Sequence, residues 1–373
     1  MLEPITCRCC GQTIHPRDNA GTGDLPLCLT CLEDRYTVCS RCGALIPNHQ
    51  ACYLPSGDDE DEPYCPDCYL TVAGQKPIHD YYYRPSPCFW GDGPFYFGVE
   101  LEIDEAGEDS DNARRLLAIA NQGQPRLYCK HDGSLDDGFE LVTHPMSLSY
   151  HRTEMPWEAL LREAVRMGYI SHQSGTCGLH IHVSREAFGD TYAHQEAAIA
   201  RVLYFFEKHW EELLKFSRRT QRQLDRWAAR YGYRDCPRDI LDRAKSGHAG
   251  RYTCVNLQNT ATVEFRIFRG TLKRNTLLAS LELVDKICHL ALYLSDEEMQ
   301  GLAWTTFVSS LREQDCPELV QYLKERRLYL PLPFTRSEMR VSYERPDVVA
   351  GLPSKYLLPK SLSFTSDGLH LAS

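Results

Sequence analysis

Residues 95–104 read FYFGVELEID, with acidic and apolar side chains in alternation. On an extended strand successive side chains point to opposite faces. The stretch therefore predicts a strand that buries Val99, Leu101 and Ile103 and shows Glu100 and Glu102 together on its other side. Two adjacent carboxylates repel each other and are costly to bury unless a cation sits between them. Magnesium and manganese take oxygen donors, so the pair forms a natural ligand set for a hard metal. A strand facing water is the alternative, although Thr and Lys would then be expected among the glutamates.

Three further segments repeat the pattern. GFELVTHP (138–145) carries Glu140, and the turn just upstream, KHDGSLDDG (130–138), carries Asp132. CGLHIHVS (177–184) puts His180 and His182 on one face and Leu179, Ile181 and Val183 on the other. ATVEFRIFRGTLKRN (261–275) sets Glu264 and Arg266 opposite Val263, Phe265 and Ile267, with Arg269 at the strand end and Lys273 opening the next segment. Arginine beside a carboxylate suits recognition of phosphate or carboxylate groups, though Glu264 and Arg266 could equally form a cross-strand ion pair. One such strand means little. Four together look like the lining of a metal and phosphate site. Between them, 156–169, 194–216 and 276–294 have apolar residues at helical spacing. The basic amphipathic stretch 218–232 reads as a solvated helix or as a surface for an acidic substrate.

The N-terminal region differs in kind. Ten of the 17 cysteines precede residue 69, and eight of these form the pairs Cys7/Cys10, Cys28/Cys31, Cys39/Cys42 and Cys65/Cys68. CRCCGQTIHP (7–16) resembles CSRCGALIPN (39–48), so the segment looks duplicated. Four thiolates in each half close a tetrahedral structural zinc site and leave no open position for catalysis. The stretch is too polar to build a core, so metal would supply its folding free energy. Cys9, Cys52, His15 and His49 are spare candidates. The seven remaining cysteines, scattered singly, read as small buried residues.

A chain of 373 residues suggests two or three domains. We divide it into a tandem zinc module (1–71), an aromatic-rich connector (72–93) containing Tyr81, Tyr82 and Tyr83, a main domain (94–327) and a C-terminal extension (328–373). The acidic run at 58–62 reads as a solvated loop tip. A net charge of -10 gives no global basic field and argues against nonspecific nucleic-acid binding. No apolar run is long enough to span a bilayer, and no export signal is evident. The expectation is a cytoplasmic protein of unknown oligomeric state.

The ordered set GVELEI, KHDGSL…FELVTHP, CGLHIHVS and VEFRIFRGTL resembles the amidoligase family within the glutamine synthetase and glutamate–cysteine ligase superfamily. The resemblance covers about residues 95 to 295. It implies an α+β fold, with a curved antiparallel sheet and flanking helices around a cavity for ATP and two or three magnesium or manganese ions. Glu100, Glu102, Glu140, His180 and Glu264 match metal ligands, and Arg266 matches the arginine that contacts transferred phosphate. His182, Asp132, Asn256 and Arg269 recur with less defined roles, and Lys273 joins the cofactor-binding set. The implied reaction joins a carboxylate and an amine, on a small molecule, peptide or protein, through an acyl phosphate. The lack of any Ser/His/Asp or Cys/His arrangement fits, because no covalent nucleophile is needed. The alternatives are a noncatalytic zinc adaptor, a phosphotransferase of the same fold and a metal-dependent hydrolase. Loss of some ligands would be expected of a degenerate site, and no H-E-x-x-H helix supports the hydrolase.

Overall fold

The structure is a computed structural model that describes residues 4–53, 62–73, 76–246 and 250–331. The acidic run, apart from Glu62, and the C-terminal extension beyond residue 331 lie outside them. The chain divides into two compact units between Asp80 and Tyr81, inside the expected connector.

The first unit carries the duplication into three dimensions. Ile5–Thr6 pairs with Thr13–Ile14, and Tyr36–Val38 pairs with Leu45–Pro47. Each hairpin turns through a cysteine knuckle closed by a glycine. Gly11 N–H donates to the Cys7 carbonyl at 2.9 Å, and Gly43 does the same to Cys39 at 2.9 Å. Both glycines have positive φ, +77° and +73°, where a side chain would be strained. The second cysteine pair of each half follows, and Cys28 N–H and Cys65 N–H point at the Cys7 and Cys39 sulfurs, both at 3.3 Å.

In the second unit six strands pair antiparallel. We label them β1 (Phe97–Ile103), β2 (Leu127–Lys130), β3 (Phe139–Thr143), β4 (Gly178–Ser184), β5 (Val255–Asn256) and β6 (Thr262–Arg269). Their spatial order is β5-β6-β4-β1-β3-β2. The acidic strand that opened the reading sits at the centre. Val99, Leu101, Leu141, Ile181 and Phe265 are fully buried, as the alternation requires. Helices cover this face: Phe206 of Tyr192–Lys208 meets Phe265 at 5.7 Å, and Phe216 meets Phe268 at 5.9 Å.

The helix expected over 156–169 spans Trp157–Arg166, and that expected over 276–294 spans Arg274–Tyr293. The one expected over 194–216 divides at His209. Its ring is buried against Phe205 and Trp304, at 4.7 and 5.6 Å, and burial lowers its pKa to about 4. Tertiary packing here overrides helical periodicity. The 218–232 stretch is helical only over Gln221–Trp227, after a corner at Arg218. Of the single cysteines, Cys129, Cys177, Cys254, Cys288 and Cys316 are buried, whereas Cys88 and Cys236 are only partly so.

One buried carboxyl links the covering helices. Glu282, on Arg274–Tyr293, accepts from Leu319 N–H at 2.7 Å. Burial, reinforced by the neighbouring Glu318, pushes it up to about 8. The folded protein keeps this proton after the unfolded chain has released it. Its contribution to stability is therefore present below the ordinary carboxylate range and is lost as pH rises toward about 8. We expect unfolding free energy to fall between pH 5 and pH 8 by about 1 kcal/mol or more through this group. Denaturant titrations of E282Q should lack that portion of the slope. An unchanged pH profile would refute the assignment.

Candidate functional site

The face of the sheet opposite the helices forms the floor of a cavity of about 670 Å³. Register explains its chemistry. Antiparallel partners share a face, and the pairs are Lys130 with Glu140, Glu140 with Glu102, Glu100 with His180, His182 with Glu264, and Glu264 with Asn256. Residues far apart in the chain thus become neighbours in three rows, Lys130–Glu140–Glu102, Glu100–His180 and His182–Glu264–Asn256. Of the residues proposed from sequence, Glu100, Glu102, Asp132, Glu140, His180, His182, Asn256, Glu264 and Arg266 all line the cavity. Arg269 lines a separate small cavity with His172 and Arg218, and Lys273 lines neither.

The carboxylates form two groups. Glu100, His182 and Glu264 bring one ligand atom each within 4.8 Å of the others, and so do Glu102, Asp132 and Glu140. The sequence pointed to His180 as a ligand, but the geometry draws His182 into the first group. His180 stands between the groups, with Nδ1 3.5 Å from Glu100 and 3.7 Å from Glu264, and Nε2 3.7 Å from Glu102. Glu264 is further held by Arg266, by Asn256 Nδ2 at 2.8 Å and by Asn259 Nδ2 at 3.2 Å. Glu102 accepts from the Gly178 N–H, and His182 Nδ1 lies 3.1 Å from Thr262 Oγ1.

Electrostatics separates the groups. Burial works against a charge on Glu100, yet His182 and His180 hold its carboxyl well below the usual range. Burial also opposes Glu264, which His182 and Arg266 bring down. Burial pushes Glu140 well above the usual range, with Glu100 and Asp132 adding to it, and raises Glu102. The raised carboxyls of Glu140 and Glu102 beside Asp132 mark a place where a cation would relieve the crowding. Buried Glu140 Oε2, His180 Nδ1 and His182 Nε2 have no hydrogen-bond partner. Unpartnered polar atoms among crowded carboxylates fit bound divalent cations: the all-oxygen group suits magnesium, and the imidazole-containing group suits manganese or magnesium.

Three contributors escaped the sequence. Lys130, opposite Glu140 on β2, lies 3.6 Å from its carboxylate. Its position in KHDGSL, next to the turn carrying Asp132, was the available signal. Arg251 donates to the Tyr81 and Tyr252 hydroxyls, the second at 3.0 Å, and gives the cavity an aromatic and cationic wall with Trp227. Arg219 enters from the corner between helices, where no strand alternation announces it.

In the first unit, Cys7, Cys10, Cys28 and Cys31 gather within 4.8 Å, as do Cys39, Cys42, Cys65 and Cys68. Pairing stays within each half, and Cys9, Cys52, His15 and His49 belong to neither group. Each set could hold a zinc ion.

The fold and site together define an α+β domain whose antiparallel sheet brings two acidic groups and guanidinium groups into one cavity. Residues 103–288 match the family described as "Putative amidoligase enzyme", and that part of the chain belongs to the family. The match begins at Ile103, so Glu100 and Glu102 stand just before it, tied by register to residues inside it. Among curated proteins, none matches the chain. Among solved structures it is similar to a bifunctional glutathione synthetase from Pasteurella multocida, at 14% identity and a TM-score of 0.33. That likeness covers 64% of this chain and 47% of the other, and one so distant carries no argument. Among the described residues no helix is long and apolar enough to cross a membrane.

Proposed function

We propose that the second unit is an ATP- and magnesium-dependent carboxylate–amine ligase. One observation carries the reading: two acidic cation-binding groups share a single cavity with guanidinium groups, in a chain whose residues 103–288 belong to the amidoligase family. A carboxylate is a poor acyl donor. Phosphorylation by ATP converts it to an acyl phosphate, an amine attacks the carbonyl carbon, and phosphate leaves to give the amide. Divalent cations held by Glu100, His182 and Glu264 and by Glu102, Asp132 and Glu140 would neutralise charge gathering on the phosphoryl oxygens. Arg266, oriented by Glu264 and with a buried Nε–H unspent, would add hydrogen bonds to those oxygens. His180 would keep the Glu100 and Glu102 carboxylates turned toward the cavity. Zinc at the two four-cysteine sites would make the first unit a rigid handle for a macromolecular substrate.

The test is incubation with ATP, magnesium and pooled acids and amines, following ADP and product mass. We expect ADP release that requires both an acid and an amine, and a product equal to their sum less one water. Failure of the protein to bind the nucleotide, with no ADP formed from any pool, would overturn the reading. A product heavier than an acid by one phosphoryl group would point to a phosphotransferase.

A further inference from the structure

We propose that Arg219, supplied by a helical corner outside the sheet, forms with Arg266 a paired clamp on the phosphoryl group passing from nucleotide to acid. The inference rests on the ligase reading and deepens it. Only 9% of Arg219 is exposed, yet its side chain lines the cavity. Its guanidinium makes one hydrogen bond, from Nη2 to the Phe268 carbonyl at 3.1 Å, and its buried Nε–H has no partner. No carboxylate among the described residues comes within ion-pair distance of it. A structural arginine this deep would normally spend its fork on a carboxylate. Here the fork is left open toward the cavity.

The surroundings push it that way. Glu102 attracts Arg219, whereas Arg266 and Arg269 repel it from two sides. Burial and this repulsion bring its pKa down only to about 10, so it stays charged at neutral pH. Arg266 Nε and Arg269 Nε are also buried without partners. Arg219 and Arg266, lining one cavity with their buried Nε–H donors unspent, call for an anion with several oxygens, and a tetrahedral phosphoryl group provides one.

The backbone accepts strain to hold this arrangement. Arg218 sits at φ +61° and ψ 14°, a left-handed conformation that costs a non-glycine residue about 1 kcal/mol. It turns the chain between helices Trp210–Ser217 and Gln221–Trp227. Arg219 N–H then bonds Ser217 Oγ at 3.1 Å, and Thr220 caps the next helix through a capping box. Gly178 completes the seat. A Cβ there would lie 2.6 Å from His180 Nε2 and 2.8 Å from Arg219 Nη2, so a side chain at this position would push both groups aside. In the transfer, the bond from the terminal phosphorus to the ADP oxygen breaks with its electron pair as a carboxylate oxygen bonds that phosphorus. Arg219 and Arg266 would donate to the non-bridging oxygens throughout.

Affinities for Mg·ATP and Mg·ADP should be measured on the full-length protein for wild type, R219Q, R219K and the exposed control R222Q. We expect R219Q to weaken Mg·ATP by about 10- to 100-fold and Mg·ADP by less than about threefold. R219K should lie between, because it keeps the charge without the fork, and R222Q should match wild type. If R219Q does not fold, the ATP-specific loss in R219K decides the matter alone. Equal weakening of both nucleotides, or of neither, overturns the clamp and leaves the ligase reading standing. Absence of nucleotide binding by wild type instead overturns that reading, and the clamp with it.

Discussion

Replacing Glu102 by glutamine is expected to lower ligase activity by about 10³-fold or more, roughly 4 kcal/mol of lost transition-state stabilisation. The same change should raise the melting temperature of the metal-free protein. Both follow from one feature: Glu102 is buried beside Asp132 and Glu140 and close to Glu100. In the catalytic state its charge holds a cation. Without the cation it adds repulsion to a site where burial already opposes ionisation. Glutamine keeps the shape and can still accept from Gly178 N–H. Relief of about 1 kcal/mol would raise the metal-free melting temperature by about 2–4 °C, and the stabilisation normally gained on adding magnesium should shrink. Full activity in E102Q would remove this group from the reaction. A lower metal-free melting temperature would make Glu102 a structural residue.

The second large effect concerns the first unit. The protein should contain two zinc ions per chain, and stripping them should unfold residues 4–53 and 62–73 while the second unit stays folded. The buried apolar cores in the two halves are Leu27 with Cys7 and Cys31, and Ile46 and Tyr64 with Cys39. Burying one or two such side chains contributes about 2–5 kcal/mol. Cores this small rarely hold a fold unaided, so a tetrathiolate site in each half is expected to supply folding free energy. Metal analysis under reducing conditions, followed by chelation and limited proteolysis, checks this. C31A should retain one zinc. Protein that is fully protease-resistant without metal would refute the assignment.

Much of the sheet was legible because alternation is a local signal. FYFGVELEID, FELVT, CGLHIHVS and TVEFRIFR each show a face, and each becomes a strand with that face as read. Which faces meet is not local. The neighbourhood of Glu100 and His180, or of His182 and Glu264, is a matter of register, and only the family resemblance suggested it. That is why sequence favoured His180 as a ligand, whereas the geometry groups His182 with Glu100 and Glu264. Helix ends were harder. The break at His209 depends on Phe205 and Trp304, the latter some ninety residues away, and the corner at Arg218 carries no glycine or proline to announce it. Arg219 lies in the 218–232 stretch read as a solvated helix or a surface for an acidic substrate, but no periodic face singled it out there.

The pairing of β4 with β6 has a further consequence. Leu179 stands opposite Phe268 and Ile181 opposite Phe265, so β6 spends three residues where β4 spends two. The extra residue is a phase change in the strand. Before it, side chains two apart share a face; across it, Arg266 and Arg269, three apart, start on the same one, since Arg269 pairs with Gly178. In linear form this is the spacing E-x-R-x-x-R, which no regular strand and no regular helix would produce as a single front. Searches of related chains for this chemistry should therefore treat the spacing as a two-part word. An insertion or deletion between its arginines would not behave like a loop indel. It would exchange the inside and the outside of everything that follows in the strand.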